Sequence, residues 1–169
     1  MTTRRKFFAE DGVFNLTDAQ ASMIFTLVML GVVAGLISFV FSGSKAGQMQ
    51  QALSTIPMQI QGLYSGSSSY SGLDNALAVK AGVVPKKLMN GDNIQTPWGG
   101  DITISATANG TFTIALEEVD EDDCTKLAVY QMDVWESVKV NTSSFDGLST
   151  VSDIIGACGD SNTITYESR

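Results

Sequence analysis

The sequence predicts an α+β fold. A long N-terminal helix, apolar through its first half, packs through its second half on a mainly antiparallel β-sheet, and one disulfide staples the unit. Three observations carry this expectation. Residues 19–44 hold no charged side chain, and a helix rising about 1.5 Å per residue crosses about 30 Å of hydrocarbon with roughly 20 such residues. Residues 101–105 and 111–116 alternate apolar side chains with Thr or Ser on either side of Asn109-Gly110, the pattern of a β-hairpin. Cys124 and Cys158, the two cysteines of the chain, lie far downstream of the apolar run.

Composition narrows the function classes. The chain has 169 residues, 44% of them apolar, which is enough for one domain with a core and too few for two large ones. A net charge of −8, with the ten basic residues scattered, argues against nucleic acid, because phosphate affinity needs clustered Lys and Arg. The absence of histidine removes the commonest general base and metal ligand, and two distant cysteines do not complete a thiolate zinc site. No catalytic residue, metal site or cofactor is therefore expected. Ser42-Gly-Ser-Lys45 has the Ser-x-x-Lys spacing of some acyl-enzymes, but the companion motifs are missing.

The flank ahead of the apolar run carries Arg4, Arg5 and Lys6, whereas Lys45 is the first basic residue after it. The positive-inside rule then leaves the first residues in the cytoplasm and exports the rest. A removed secretory signal cut near Ser42-Gly43-Ser44 is one reading of this arrangement. The other starts from the order basic residues, Glu10-Asp11-Gly12, Val13-Phe14, apolar run, which puts a glycine site on the cytoplasmic side. Cleavage after Gly12 would discard the short leader 1–12 and keep the hydrophobic helix. Gly31 and Gly35 serve either close helix packing in the membrane or local flexibility.

Past the membrane segment, Met49, Leu53, Ile56 and Ile60 are spaced four, three and four apart, which places them on one face of a continuing helix. The helix is expected to run to residue 64, followed by a head of residues 65–169. Residues 65–72 form a Ser- and Gly-rich connector, and a short helix lies within 73–84, ahead of Pro85. After the hairpin, residues 117–123 hold six carboxylates in seven positions. They lack the glycine and ligand spacing of a calcium loop. They suit a helix N-terminus, where exposed N–H groups and the macrodipole favour anions, and the helix is expected over 124–132. A strand near 134–140 follows, then a capping box at Thr150-Val-Ser-Asp153 opening a short helix to Ala157, then a terminal strand over 162–166. Both cysteines fall on the exported side, where thiols are oxidised, so Cys124 and Cys158 are expected to be bonded. Trp98 and Trp135 are expected as buried aromatic anchors rather than adhesive surface residues.

Together these features resemble the type IVb pilins, most closely the bundle-forming pilin branch, across nearly the whole chain. The resemblance rests on Ile60-Gln-Gly-Leu-Tyr64, Ser69-Tyr-Ser-Gly-Leu-Asp74, Thr96-Pro-Trp-Gly-Gly100, Cys124 with Leu127 and Ala128, Ala157-Cys158 and the strand ending in Thr163-Ile-Thr-Tyr166. It implies a ladle-shaped type IV pilin fold, with the two cysteines bridging a region that shapes the filament surface. It also implies processing by a prepilin peptidase between Gly12 and Val13, and polymerisation of the chain with itself by an inner-membrane assembly machine. The precursor would sit in the inner membrane and the product in an extracellular pilus, with minor pilins and host or bacterial surfaces as further partners. Assembly would run through Phe14, Leu16 and a carboxylate near the new terminus. Counting from Val13, the family's glutamate position falls on Thr17. Aligning backward from Gly62-Leu-Tyr64, it falls on Asp18. A minor pilin, a secretion pseudopilin and a tethered module that never polymerises remain as rival readings.

Overall fold

The computed structural model describes residues 44–168. The expected processing and assembly residues Gly12, Val13, Phe14, Leu16, Thr17 and Asp18, with nearly all of the apolar run, lie outside the described residues. Among the described residues no helix is long and apolar enough to cross a membrane.

Helix α1 spans Lys45–Leu63. Ser44 opens it from an extended conformation, its hydroxyl accepting from Gly47 N at 3.0 Å and so satisfying one of the free N–H groups of the first turn. The stripe read from the sequence is the buried face: Met49, Leu53, Ile56 and Ile60 are all fully enclosed, with Ala46 and Ala52 beside them. Helix α2 spans Asn75–Lys80, capped by Asp74 accepting from Leu77 N at 2.7 Å. It stops where Gly82 turns left-handed (φ +71°), with Gly82 N donating to Val79 O and Val83 N to Ala78 O. That is the glycine-dependent C-terminal motif that relieves the last carbonyls.

Strands β1 (Met89–Asn90) and β2 (Asn93–Ile94) form a small antiparallel hairpin that the sequence reading did not anticipate. The main sheet has β3 (Ile102–Ala106), β4 (Phe112–Asp120), β5 (Ser137–Val140), β6 (Ser143–Phe145) and β7 (Ser161–Glu167). Its order is β3-β4-β7-β5-β6, with every neighbouring pair antiparallel. The terminal strand β7 is thus central, placing Tyr166 between Ile114 and Val138 and Ile164 between Leu116 and Val140. One face of the sheet carries Ile102, Ile104, Ile114, Leu116, Val138, Val140, Ile164 and Tyr166, all buried in the same core as α1. The period-two alternation is what delivers every second side chain to that face.

Helix α3 spans Glu121–Ala128 and α4 spans Val151–Ala157. The carboxylates Glu121, Asp122 and Asp123 form the first turn of α3, as their charge favours, so the helix starts earlier than residue 124. It also ends earlier, since residues 129–136 form turns in which Gln131 adopts φ +52° and Trp135 inserts into the core. The expected strand over 134–140 therefore begins only at Ser137. Thr150 caps α4 as expected, its Oγ1 accepting from Asp153 N at 3.3 Å, but the reciprocal half of the box differs: Asp153 Oδ2 accepts from the Thr150 hydroxyl at 2.6 Å. Gly100 explains part of the Thr-Pro-Trp-Gly-Gly motif. A Cβ there would lie 2.3 Å from Glu117 O, and Thr96 Oγ1 donates to that same carbonyl at 3.1 Å. The motif clasps β4 where its register shifts between Leu116 and Val119, around Glu118 at φ +58°.

Candidate interaction surface

Cys124 and Cys158 are bonded, with Cα atoms 6.0 Å apart, within the ordinary span of a disulfide. Cys124 is buried on α3 and Cys158 is the C-cap of α4, so the bond closes a 34-residue separation that contains β5, β6 and α4. The same segment is held from within. Tyr166 Oη donates to Leu127 O at 2.9 Å, and the Trp135 and Tyr166 rings lie 5.0 Å apart. Burial pushes the Tyr166 phenol well above its usual pKa.

On this braced scaffold three large apolar side chains near α4 point outward among polar ones. Leu148 is 92% exposed, Val151 54% and Ile155 57%. Leu148 sits at a tight turn tied by reciprocal bonds: Leu148 N and Ser149 Oγ donate to Asp146 Oδ1 at 3.0 and 3.1 Å, and Asp146 N donates to Ser149 Oγ at 3.0 Å. Val151 and Ile155 are four apart on α4 and share its outer face, while Ile154 alone turns fully inward. Sequence reasoning missed this patch. The spacing of Leu148, Val151, Ile154 and Ile155 reads as a core stripe, and only the packed structure shows which way the helix is rolled.

Two grooves flank α1. One, of about 390 Å³, runs between α1 and residues 82–88, with Ala52, Val84 and Pro85 on its walls and Lys86 and Lys87 in its lining. The other, of about 280 Å³, lies between α1 and the 131–135 turn and includes Pro57, Met58, Val134 and Trp135. Met58 is 71% exposed. Trp135 is 3% exposed and its Nε1 has no partner among the described residues, so it is a core anchor rather than a surface adhesin. Trp98 packs partly buried against the same core.

The charged groups sit at the surface. Lys45 Nζ lies 3.8 Å from Asp120 Oδ2, an exposed contact of little energetic weight. Lys126 donates to Asp123 Oδ1 at 2.8 Å, and that bond, with the charges of Asp123 and Asp122, raises the lysine pKa. Among the described residues no three His, Cys, Asp or Glu side chains are grouped to hold a metal ion.

Comparison with known proteins gives a consistent result. Residues 44–169 match the family described as PilS N terminal. A protein of Escherichia coli O111:H-, named as the major structural subunit of the bundle-forming pilus, is 27% identical over 161 residues, covering 89% of this chain and 82% of that one. Its counterpart in Escherichia coli O127:H6 is 28% identical over 125 residues, covering 69% and 64%. Among solved structures, a type IVb pilin from Salmonella typhi superposes with a TM-score of 0.61 at 20% identity, over 71% of this chain and 97% of that one. TcpA, a type IV pilin from Vibrio cholerae El Tor biotype, gives 0.56 at 12% identity, over 74% and 99%. The two structures share the fold of the described residues.

Proposed function

Because the chain belongs to the PilS N-terminal family, we infer that it is the structural subunit of a type IVb pilus, a filament built from many copies of itself. The family match across the head carries the reading, and the bundle-forming pilus subunits of Escherichia coli support it. The outward apolar residues Leu148, Val151 and Ile155, on and just ahead of α4, also support it, because a contiguous exposed apolar patch marks a surface that something covers.

Residues 1–12 act as a leader that a prepilin peptidase removes after Gly12, residues 13–64 are the helix that anchors the precursor and then builds the filament core, and residues 65–169 are the head. Before assembly the chain spans the inner membrane, N-terminus in the cytoplasm and head in the periplasm. The assembly machinery then moves the apolar helix from lipid into a bundle of identical helices, so its surface never meets water. Phe14 and Leu16 pack in that bundle. Asp18 provides the carboxylate that meets a neighbour's terminal amine, since a charge in hydrocarbon is costly unless paired. The finished filament serves adhesion, aggregation or conjugative contact, alone or with minor pilins.

Removing the chain from its cell tests this. Loss of surface fibres that contain it is the expected result. Fibres that persist unchanged, or a protein found solely as single copies in the membrane, would overturn the reading.

A further inference from the structure

The chain contains two Asn-Gly steps, Asn90-Gly91 and Asn109-Gly110, and both asparagines are exposed. Their surroundings differ. Asn90 belongs to β1, pairs with Asn93 across the hairpin, and its Nδ2 donates to Gln95 Oε1 at 2.7 Å. Asn109 lies near the tip of the β3–β4 connection, and among the described residues its side chain has no hydrogen-bond partner. The base of that loop is pinned: Thr107 N donates to Thr111 O at 2.9 Å, and the two threonine hydroxyls lie 2.6 Å apart. The tip is held more loosely: Gly110 N donates to Thr107 O in a long bond of 3.4 Å, and the Asn109 carboxamide, unlike that of Asn90, is not held by another side chain among the described residues.

We propose that Asn109 is a site of spontaneous deamidation in this protein, and that the fold directs the reaction there and away from Asn90. Hydroxide takes the amide proton of Gly110, and the nitrogen lone pair forms a bond to Asn109 Cγ. The Cγ–Nδ2 bond breaks and ammonia leaves with a proton, closing a five-membered imide. Water then adds to one imide carbonyl. Opening at the carbonyl that began as the side chain gives aspartate; opening at the other gives isoaspartate, with one extra backbone methylene. Nothing is oxidised or reduced, and the co-reactant is water. Either product adds a negative charge to a chain already at −8. Asn109 lines a shallow groove with Ser69 and Ser71, so the charge appears beside the connector that follows α1. The tip is thus a chemical clock: older copies of the subunit differ from newer ones in charge at one known place.

The full chain in detergent, incubated at mildly alkaline pH and physiological temperature, is digested at intervals and its peptides are weighed for the replacement of NH2 by OH. Conversion at Asn109 is expected several-fold faster than at Asn90, and Gln95→Ala, which frees the Asn90 amide, is expected to speed Asn90 while leaving Asn109 unchanged. The same chain in denaturant is expected to convert both at similar rates. Equal conversion in the folded chain, faster conversion at Asn90, or an Asn90 rate indifferent to Gln95→Ala would overturn the proposal.

Discussion

The carboxamide of Asn75 closes the edge of strand β3. Its Oδ1 accepts from Ile104 N at 2.6 Å while its Nδ2 donates to Ile102 O at 2.8 Å, so one side chain at the start of α2 satisfies the two backbone groups that a further strand would take. Leu73 O adds a third bond, from Ala106 N at 3.2 Å. An unpaired edge invites pairing with other chains, and covering it is a recurrent protection.

Replacing Asn75 with alanine should therefore lower stability by about 1–3 kcal/mol, the usual cost of leaving partly buried polar backbone groups unpaired. Urea unfolding should show an earlier midpoint at unchanged slope, together with faster aggregation on storage. A midpoint equal to that of the unaltered chain would contradict this account of the edge.

Removing the disulfide with Cys124→Ala and Cys158→Ala should cost about 4 kcal/mol in the chain-entropy view, given the 34-residue separation it closes. A head of this size has a total stability of about 5–15 kcal/mol, so the doubly substituted protein should be marginal. Denaturation with and without reductant measures the same quantity in the unaltered chain, and the two results should agree.

Tyr166 gives a pH test with a definite sign. Burial raises its folded-state pKa above the unfolded value of 10.0. Above that pH the unfolded phenol has lost its proton while the folded one keeps it, so the unfolded state binds fewer protons and stability falls as pH rises, by about 1.4 kcal/mol per pH unit. The contribution is fully present below pH 10 and is lost above it. Tyr166→Phe should remove this component of the slope, while costing about 1 kcal/mol at neutral pH for the lost bond to Leu127 O. An unaltered slope in the variant would place the alkaline sensitivity elsewhere.

Leu148→Ser combined with Ile155→Gln should leave the head's melting temperature nearly unchanged, since exposed substitutions away from structural features usually fall within about 0.5 kcal/mol. Filament yield or mechanical stability should nonetheless drop. Normal filaments from the doubly substituted chain would show that this face is not covered by neighbouring copies.

Much of this architecture is legible from local chemistry. The buried face of α1 follows from Met49, Leu53, Ile56 and Ile60, the start of α4 from Thr150 and Asp153, and the β3–β4 hairpin from the alternation on either side of Asn109-Gly110. Other features are set by contacts distant in sequence. That β7 lies between β4 and β5 is decided by Tyr166 and Ile164 completing the core face, which local pattern does not reveal. The early end of α3 reflects Trp135 being drawn against Tyr166, and the bulge at Glu118 reflects the close approach of Gly100. The cysteine pair is legible because a chain with two cysteines leaves a single pairing within it. The outward roll of α4 is not, because Val151, Ile154 and Ile155 are chemically alike and packing alone separates them.

The central claim is that copies of this chain, cut after Gly12, form the filament. Mass spectrometry of fibres sheared from the cell surface tests it most directly. The account predicts abundant protein beginning at Val13, with the mass of the bonded Cys124–Cys158 form. A protein beginning at Met1 and confined to membranes, or one beginning near Ser44 in the medium, would contradict it.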